Sequence, residues 1–144
     1  MGTNHFGEIG YLAGVTEPDI GVITNIGPSH LEHFKDLKGV FREKYALVEA
    51  LKKPGIAVLN ADDVYLKKKF FSRKKEPFLL SFGMKNKSDF QARDIRRFPK
   101  GFKFTLNKKY RFTLKTLGVY NIYNALAAVA CAGLLGIKPS EMAL

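Results

Sequence analysis

Residues 20–34 read IGVITNIGPSHLEHF, and this stretch decides the fold class. Ile20 to Ile26 form a nearly continuous run of apolar, mostly β-branched residues, which is typical of a strand covered on both faces. The run breaks at Gly27, and His30 follows almost at once. Because open α/β sheets bind ligands beyond the carboxyl ends of their strands, His30 is a candidate metal ligand or general base. A loop histidine with no such role is the alternative.

Strand and helix patterns alternate after this run. Strand Ile20 to Ile26 is followed by further buried strands at Ile56 to Leu59 and Phe78 to Phe82. Helical spacing covers Leu37 to Leu51 and Val64 to Phe71, and the Asp62-Asp63 pair can cap the second helix. This order predicts a mostly parallel sheet with flanking helices.

The pattern changes from Phe90 onward. Apolar and polar residues alternate on both sides of Asn107-Lys108-Lys109, which predicts an antiparallel hairpin. A strongly apolar helix is then expected from Asn121 to Leu135, and Gly136 ends it. The predicted fold class is therefore α/β, a mostly parallel sheet with flanking helices plus a small antiparallel hairpin.

Length and composition are those of one globular domain with a real core: 144 residues, 46% of them hydrophobic. The single cysteine, Cys131, excludes a disulfide framework and favours a reducing cytoplasm. The longest apolar stretch, Ala125 to Leu135, is too short to span a bilayer. From the sequence we expect no membrane partner.

The net charge of +11 raises the question of an anionic partner. Lysines fall in separate groups along the chain, so a solvated surface is favoured over a nucleic-acid groove, and no nucleic-acid partner is expected. The competing hypothesis is a basic nucleic-acid-binding module in which cations are interleaved with stacking aromatics on the hairpin. Its residues would be Arg96, Arg97, Lys100, Lys103, Phe98, Phe102 and Phe104.

Lys44 interrupts an apolar helical stripe. Val40, Phe41, Leu47 and Val48 have the spacing of one buried face, and Lys44 falls in its middle. A lysine there can extend its ammonium group to solvent. Alternatively, burial lowers its pKa, and the neutral amine becomes able to take up carbon dioxide as a carbamate. A carbamate would be an anionic metal ligand that could act with His30.

Two asparagines stand at the start of the last long helix. Asn121 and Asn124 are three residues apart, so their side chains are neighbours on the helix surface. A carboxamide offers both a donor and an acceptor and can therefore recognise the edge of a nucleobase. A helix cap is the alternative role for Asn121.

Five motifs, in this order, resemble the central ATP-binding domain of the Mur ligase family: MGTNHFGEI, TNIGPSHLEHF, REKYALVEAL, LNADD and GVYNIYNALAA. Members of this family build the peptide of bacterial cell-wall precursors by ATP-driven amide formation. The opening motif resembles the member that joins D-alanyl-D-alanine to UDP-N-acetylmuramoyl-tripeptide. The resemblance implies a ligase that uses ATP and Mg²⁺. Another Mur-type ligase, such as one of the folylpolyglutamate synthase type, is the alternative within the family.

The resemblance also implies roles for individual residues. His30 matches the family histidine that helps to hold a second magnesium ion. Lys44 matches the lysine that family members carry as a carbamate. Asn4 and His5 lie in the motif near the phosphates and the acceptor substrate.

The adenine end of ATP is assigned to the last motif. Asn121 and Asn124 match the asparagines that contact the adenine, and Tyr120 stands where the family often has histidine. A tyrosine there could stack on the base.

Parts of the family architecture do not occur in this sequence. The phosphate-binding loop, Gly-x-x-Gly-Lys-Thr/Ser, is absent from the 144 residues, and the resemblance places it before residue 1. The UDP-binding and dipeptide-binding domains are expected outside this sequence as well. We therefore expect residues 1–144 to be a partial central domain that is incomplete on its N-terminal side, inactive alone and able to self-associate through an open sheet edge.

Overall fold

The computed structural model of the chain describes residues 1–71 and 77–142. The helices are α1 (Glu8–Thr16), α2 (Leu31–Phe34), α3 (Leu37–Glu49), α4 (Tyr120–Leu134) and α5 (Pro139–Met142), with a 3₁₀ helix at Leu66–Phe71. The strands are β1 (Ile20–Ile23), β2 (Ile56–Asn60), β3 (Phe78–Gly83), β4 (Phe90–Phe98), β5 (Gly101–Leu106) and β6 (Tyr110–Leu114). None of the helices in these ranges is long and apolar enough to cross a membrane.

The strands form one six-stranded sheet in the order β1-β2-β3-β4-β5-β6. β1 to β4 are parallel, and β4 to β6 are antiparallel. The predicted α/β class, with a parallel sheet, flanking helices and an antiparallel addition, is confirmed.

The parallel half of the sheet is covered on both faces. Side chains of α3 pack with Ala57 and Leu59 on one face, whereas α4 packs with Val58 and Phe82 on the other. This explains why the parallel strands are apolar at nearly every position. The antiparallel half buries one face only, through Phe102, Phe104, Leu106 and Phe112.

Several predicted boundaries were wrong. β1 ends at Ile23, because the chain after it forms side-chain contacts to β2 in place of a strand ladder. The second helix is a 3₁₀ helix that begins at Leu66, and of the predicted capping pair only Asp63 binds its first N–H groups. α4 begins at Tyr120, one residue before the predicted start.

The predicted hairpin is larger than expected. β4 pairs with β5 along most of its length and joins the parallel sheet through Phe90 and Gln91. Its sequence does not alternate, because the register shifts between Arg93 and Arg96 and Asp94 adopts a left-handed conformation, φ 52°. A bulge of this kind interrupts the alternation of apolar and polar residues by which a strand is recognised in a sequence.

We expect the chain alone to self-associate through β1. This strand lies at the edge of the described sheet, and Val22 on it is 36% exposed. Unpaired N–H and C=O groups of an edge strand favour pairing with a second chain. Light scattering during size exclusion should show a dimer that Val22→Lys converts to monomer; a wild-type monomer at every concentration tested contradicts this expectation.

Candidate ligand site at the carboxyl edge of the parallel strands

Side chains at the end of β2 and just after it fix the segment that follows β1. Asn60 donates from Nδ2 to the carbonyl oxygen of Thr24 at 2.9 Å. Asp63 accepts from the backbone N–H of Ile26 at 2.8 Å. The two carboxyl ends are therefore tied together, and the segment leading to His30 has a defined position.

Lys44 points from α3 to this same edge. Its Nζ donates to the carbonyl oxygen of Asn25 at 3.1 Å. Burial lowers the pKa of Lys44 from its usual value, although the charge of Asp63 opposes the shift. The side chain lines a cavity of about 210 Å³ whose walls include Thr3 and Asn25. The amine is thus half-buried beside the carboxyl end of β1, where a ligand is expected.

His30 lies on a neighbouring, larger cavity of about 720 Å³. Asn4 and Thr3 line that cavity too, and Thr3 is common to the cavities of His30 and Lys44. His30 has a left-handed backbone, φ 50°, directly before α2. Such a conformation is uncommon for a residue other than glycine, and strained residues are concentrated at functional sites. The structure therefore brings His30, Asn4 and Lys44 to adjoining spaces at one edge of the sheet.

Glu43 is a functional candidate that sequence analysis missed. It is only 3% exposed. Its carboxylate accepts from Thr3 Oγ1 at 3.1 Å, Gly7 N at 2.7 Å and Ile9 N at 2.8 Å. Glu43 therefore holds the N-terminal motif against α3, next to Lys44. Glu43 lies three residues after Val40, on the same apolar stripe of α3 as Lys44. This spacing could have identified Glu43 as a buried carboxylate from the sequence.

A second carboxylate shapes the N-terminal motif itself. Glu8 accepts from the backbone N–H groups of Asn4 at 2.6 Å and His5 at 3.1 Å, and these bonds lower the pKa of Glu8 to about 2. His5 lies beside Glu8 and packs against His33 with ring centroids 4.4 Å apart and ring planes inclined by 46°. The His5 ring is therefore held by Glu8 and His33. Asn4 lines the large cavity, whereas His5 is not one of the described residues that line it.

Asn121 and Asn124 are joined to each other at the start of α4. Asn124 donates from Nδ2 to Asn121 Oδ1 at 3.1 Å, and Asn121 donates to the carbonyl oxygen of Leu117 at 2.7 Å. The Tyr120 ring, 67% exposed, lies over Gly118, where an added Cβ would be 2.4 Å from it. Gly118, φ 91°, therefore makes room for Tyr120.

Asp62 connects α4 to the carboxyl edge of the sheet. It follows β2, accepts from Tyr123 Oη at 3.0 Å, and accepts from the backbone N–H groups of Met84, Lys85 and Asn86 after β3. Burial alone would raise the pKa of Asp62, but these hydrogen bonds outweigh it, and the pKa is lowered. The pair of asparagines is consequently at the same edge as Lys44, although no described contact joins the two groups.

Comparisons with known proteins identify the family. Residues 1–132 match the model of the Mur ligase middle domain. The UDP-N-acetylmuramoyl-tripeptide–D-alanyl-D-alanine ligase of Bacillus subtilis is 31% identical over 144 residues, which is 99% of this chain and 30% of the relative.

Two solved structures share the fold of this chain. A crystal structure of MurF from Acinetobacter baumannii superimposes with a TM-score of 0.86 at 29% identity, and it covers 100% of this chain and 33% of that one. MurF from Thermotoga maritima, solved in complex with ADP, has a TM-score of 0.80 at 23% identity over 94% of this chain and 32% of that one, and shows the fold alone. The chain therefore spans about a third of the length of its relatives, and it belongs to the Mur ligase family.

Proposed function

We propose that this chain is the middle-domain part of an ATP-dependent ligase that joins D-alanyl-D-alanine to UDP-N-acetylmuramoyl-tripeptide. The observation that carries the proposal is the whole-chain similarity to a B. subtilis ligase with that activity. The A. baumannii MurF structure, which superimposes over the whole chain, supports the same choice within the family. Because the chain spans about a third of these relatives, the activity is proposed for the longer enzyme.

The reaction has two steps. A carboxylate oxygen of the tripeptide attacks the γ-phosphorus of ATP, so that ADP leaves and an acyl phosphate forms. The amine of D-alanyl-D-alanine then attacks the acyl carbon, phosphate leaves, and the amine loses a proton. Two anions must meet in the first step, so the site has to compensate negative charge. In the proposed arrangement, Glu43 holds the N-terminal motif so that Asn4 lies at the carboxyl edge of the sheet, where the tripeptide carboxylate meets the γ-phosphate.

A carbamate on Lys44 would fit a Mg²⁺ ion by the chemistry of its oxygen donors, and His30 on the adjoining cavity would add a nitrogen donor. Mg²⁺ usually takes one or two anionic oxygen ligands and completes its shell with waters and substrate phosphates. Lys44 provides such an oxygen after its neutral amine attacks carbon dioxide and loses a proton, and its lowered pKa favours that form. A bound ion would screen the repulsion between the carboxylate and the γ-phosphate. The described residues hold no group of three or more His, Cys, Asp or Glu side chains that could bind a metal ion by themselves.

The start of α4 is the proposed adenine subsite. The T. maritima MurF structure was solved with ADP, and we propose that ATP binds here with its adenine beside Asn121 and Asn124. The amide of Asn124 is exposed, and the Tyr120 ring is accessible for stacking. His5 and Asn4 remain proposed contacts for the acceptor region.

Two of the three phenylalanines that the nucleic-acid hypothesis requires for stacking are buried. Phe102 and Phe104 are 6% and 3% exposed and face the core, so neither ring can stack on a base. The prediction that Phe102 and Phe104 interleave with the hairpin cations at the surface was wrong, because both rings pack into the core. Phe98 is half-buried, and its ring centroid is 5.8 Å from Lys103 Nζ.

We expect the 144-residue chain alone to bind adenosine nucleotide weakly and to form no amide product. The sequence holds no loop to cradle the β- and γ-phosphates, so only the adenine contacts contribute. Titration with Mg·ATP, followed by amide NMR, should shift resonances of residues 116–124, and Asn124→Ala should reduce the shifts without unfolding the chain.

Two results would contradict this expectation. One is shifts confined to another part of the chain, which would remove the adenine subsite. The other is turnover of ATP, UDP-N-acetylmuramoyl-tripeptide and D-alanyl-D-alanine into the amide by this chain alone. Acceptor-substrate assays on the longer enzyme separate the proposed activity from that of another Mur-type ligase.

A further inference from the structure

The positive charge of the chain is concentrated on its antiparallel strands. Residues 93–115 contain nine lysines and arginines and one acidic residue, Asp94. The net charge of the whole chain is +11, so this short unit carries most of it. Sequence analysis treated the basic residues as separate groups, but the sheet brings them together.

Four of these cations share one face in two rows. The pairing of β4 with β5 and of β5 with β6 forms one row of directly opposite residues: Arg93, Thr105 and Arg111. The next row on the same face holds Arg96, Lys103 and Thr113. Neighbouring strands lie about 4.8 Å apart and the rows about 7 Å apart, so the cations are crowded. We call Arg93, Arg96, Lys103 and Arg111 the cationic face.

The charge of the cationic face is only partly opposed: Asp94 lines the same surface cavity as Arg96, Lys103 and Arg111. No salt bridge within the described ranges includes any of its four side chains. Arg93 donates from its guanidinium to Gln91 Oε1 at 2.9 Å, which is an uncharged acceptor. Arg96 and Lys103 stand directly opposite each other, an arrangement that costs stability in an isolated sheet. An external anion bound beside Arg96 and Lys103 would offset the repulsion between them.

The shape of the cationic face favours an extended anionic surface. All four cations are exposed. The rings of Phe102, Phe104 and Phe112 pack into the core on the α4 side, so the face offers a base only the half-buried ring of Phe98, whose centroid is 5.8 Å from Lys103 Nζ. Further exposed lysines lie at both ends of β5: Lys100 in one turn, and Lys108 and Lys109 in the other. Cations thus extend in two dimensions, as the headgroups of a bilayer do, and not along the single ridge that a nucleic-acid strand presents.

We propose that the cationic face docks the chain on a bilayer rich in anionic phospholipid. Each lysine or arginine near such a surface contributes about fivefold to the partition coefficient. The contact is electrostatic, because the face presents cations and threonine hydroxyls to the headgroups. This inference concerns a surface separate from the ligand site and does not depend on the ligase proposal.

Vesicle co-sedimentation tests the proposal. The chain should bind vesicles of phosphatidylcholine with phosphatidylglycerol in preference to vesicles of phosphatidylcholine alone, and added salt should weaken binding. The variant with Arg93, Arg96, Lys103 and Arg111 changed to Gln should lose about six-hundredfold in partition coefficient, which is about fivefold for each cation. The matched control changes four exposed cations elsewhere, Lys38, Arg42, Lys67 and Lys87, to Gln, and should lose less than about tenfold.

The outcomes separate the alternatives. Equal losses in the two variants, or equal binding to both kinds of vesicle, would overturn the proposal. Tighter binding of a DNA duplex than of anionic vesicles at equal phosphate concentration would overturn it in favour of nucleic acid. If the fourfold variant does not fold, Arg96→Gln and Lys103→Gln singly should each lose about fivefold, and no loss in either counts against the proposal.

Discussion

Replacement of Glu43 by alanine is expected to lower the free energy of unfolding by about 3 kcal/mol and to release the N-terminal motif from α3. Glu43 is buried and accepts three hydrogen bonds, two of them from backbone N–H groups of Gly7 and Ile9. Without the carboxylate these donors lose their partner, and a buried N–H that is not hydrogen-bonded is costly. Urea denaturation measures the loss, and hydrogen exchange should show faster exchange at Gly7 and Ile9.

Two variants control for this result. Glu49→Ala removes an exposed carboxylate from the same helix and should change stability by no more than about 0.5 kcal/mol. Glu43→Gln keeps one acceptor oxygen and should fall between wild type and Glu43→Ala. If Glu43→Ala is as stable as Glu49→Ala and exchange at Gly7 is unchanged, Glu43 does not anchor the motif.

Asp62→Ala should destabilise the chain by about 2 kcal/mol and loosen the contact between α4 and the sheet edge. Three backbone N–H groups and the Tyr123 hydroxyl lose their common acceptor. The effect is smaller than at Glu43 because Lys85 and Asn86 are exposed, so water can replace the carboxylate there. Thermal or urea unfolding measures the difference, and Asp19→Ala, which removes another exposed carboxylate, should be nearly neutral.

The pH dependence of stability reports on the same contact. Burial and the bond to Asp62 raise the pKa of Tyr123 to about 12 from an ordinary value of 10.0. Because the pKa of Tyr123 is higher in the folded state than in the unfolded state, the stabilisation that protonated Tyr123 provides is complete below pH 10 and is lost as pH rises through 12. Tyr123→Phe should remove that alkaline loss; a wild-type profile identical to that of Tyr123→Phe contradicts the assignment.

Short-range patterns explain what could be predicted from the sequence. The runs at Ile20 and Ile56 and the stripe around Val40 gave the parallel sheet and α3, because each element buries apolar residues at its own period. His30 and Lys44 were recognisable for a related reason: His30 follows the turn that ends a strand run, and Lys44 takes the place of an apolar side chain on a helical stripe. Their roles in binding metal remain predictions.

Long-range contacts explain what could not be predicted. Glu43 bonds to residues more than thirty positions away, and Asp62 bonds to the loop after β3 and to α4. Neither partner is visible in local spacing, so Asp62 was interpreted as a helix cap. The pairing of β4 was missed for the same reason, since its bulge removes the alternation and only the register with β5 defines it.

The central claim is that Lys44 and His30 act together on one metal ion, and NMR of the chain in ¹³C-bicarbonate tests it most directly. A carbamate resonance should appear in wild type and disappear in Lys44→Arg. Added Mn²⁺, as a paramagnetic substitute for Mg²⁺, should broaden that resonance and the imidazole resonances of His30 together, while those of His33 change less. A chain without a Lys44 carbamate, or Mn²⁺ broadening at only one of the two residues, would contradict the account.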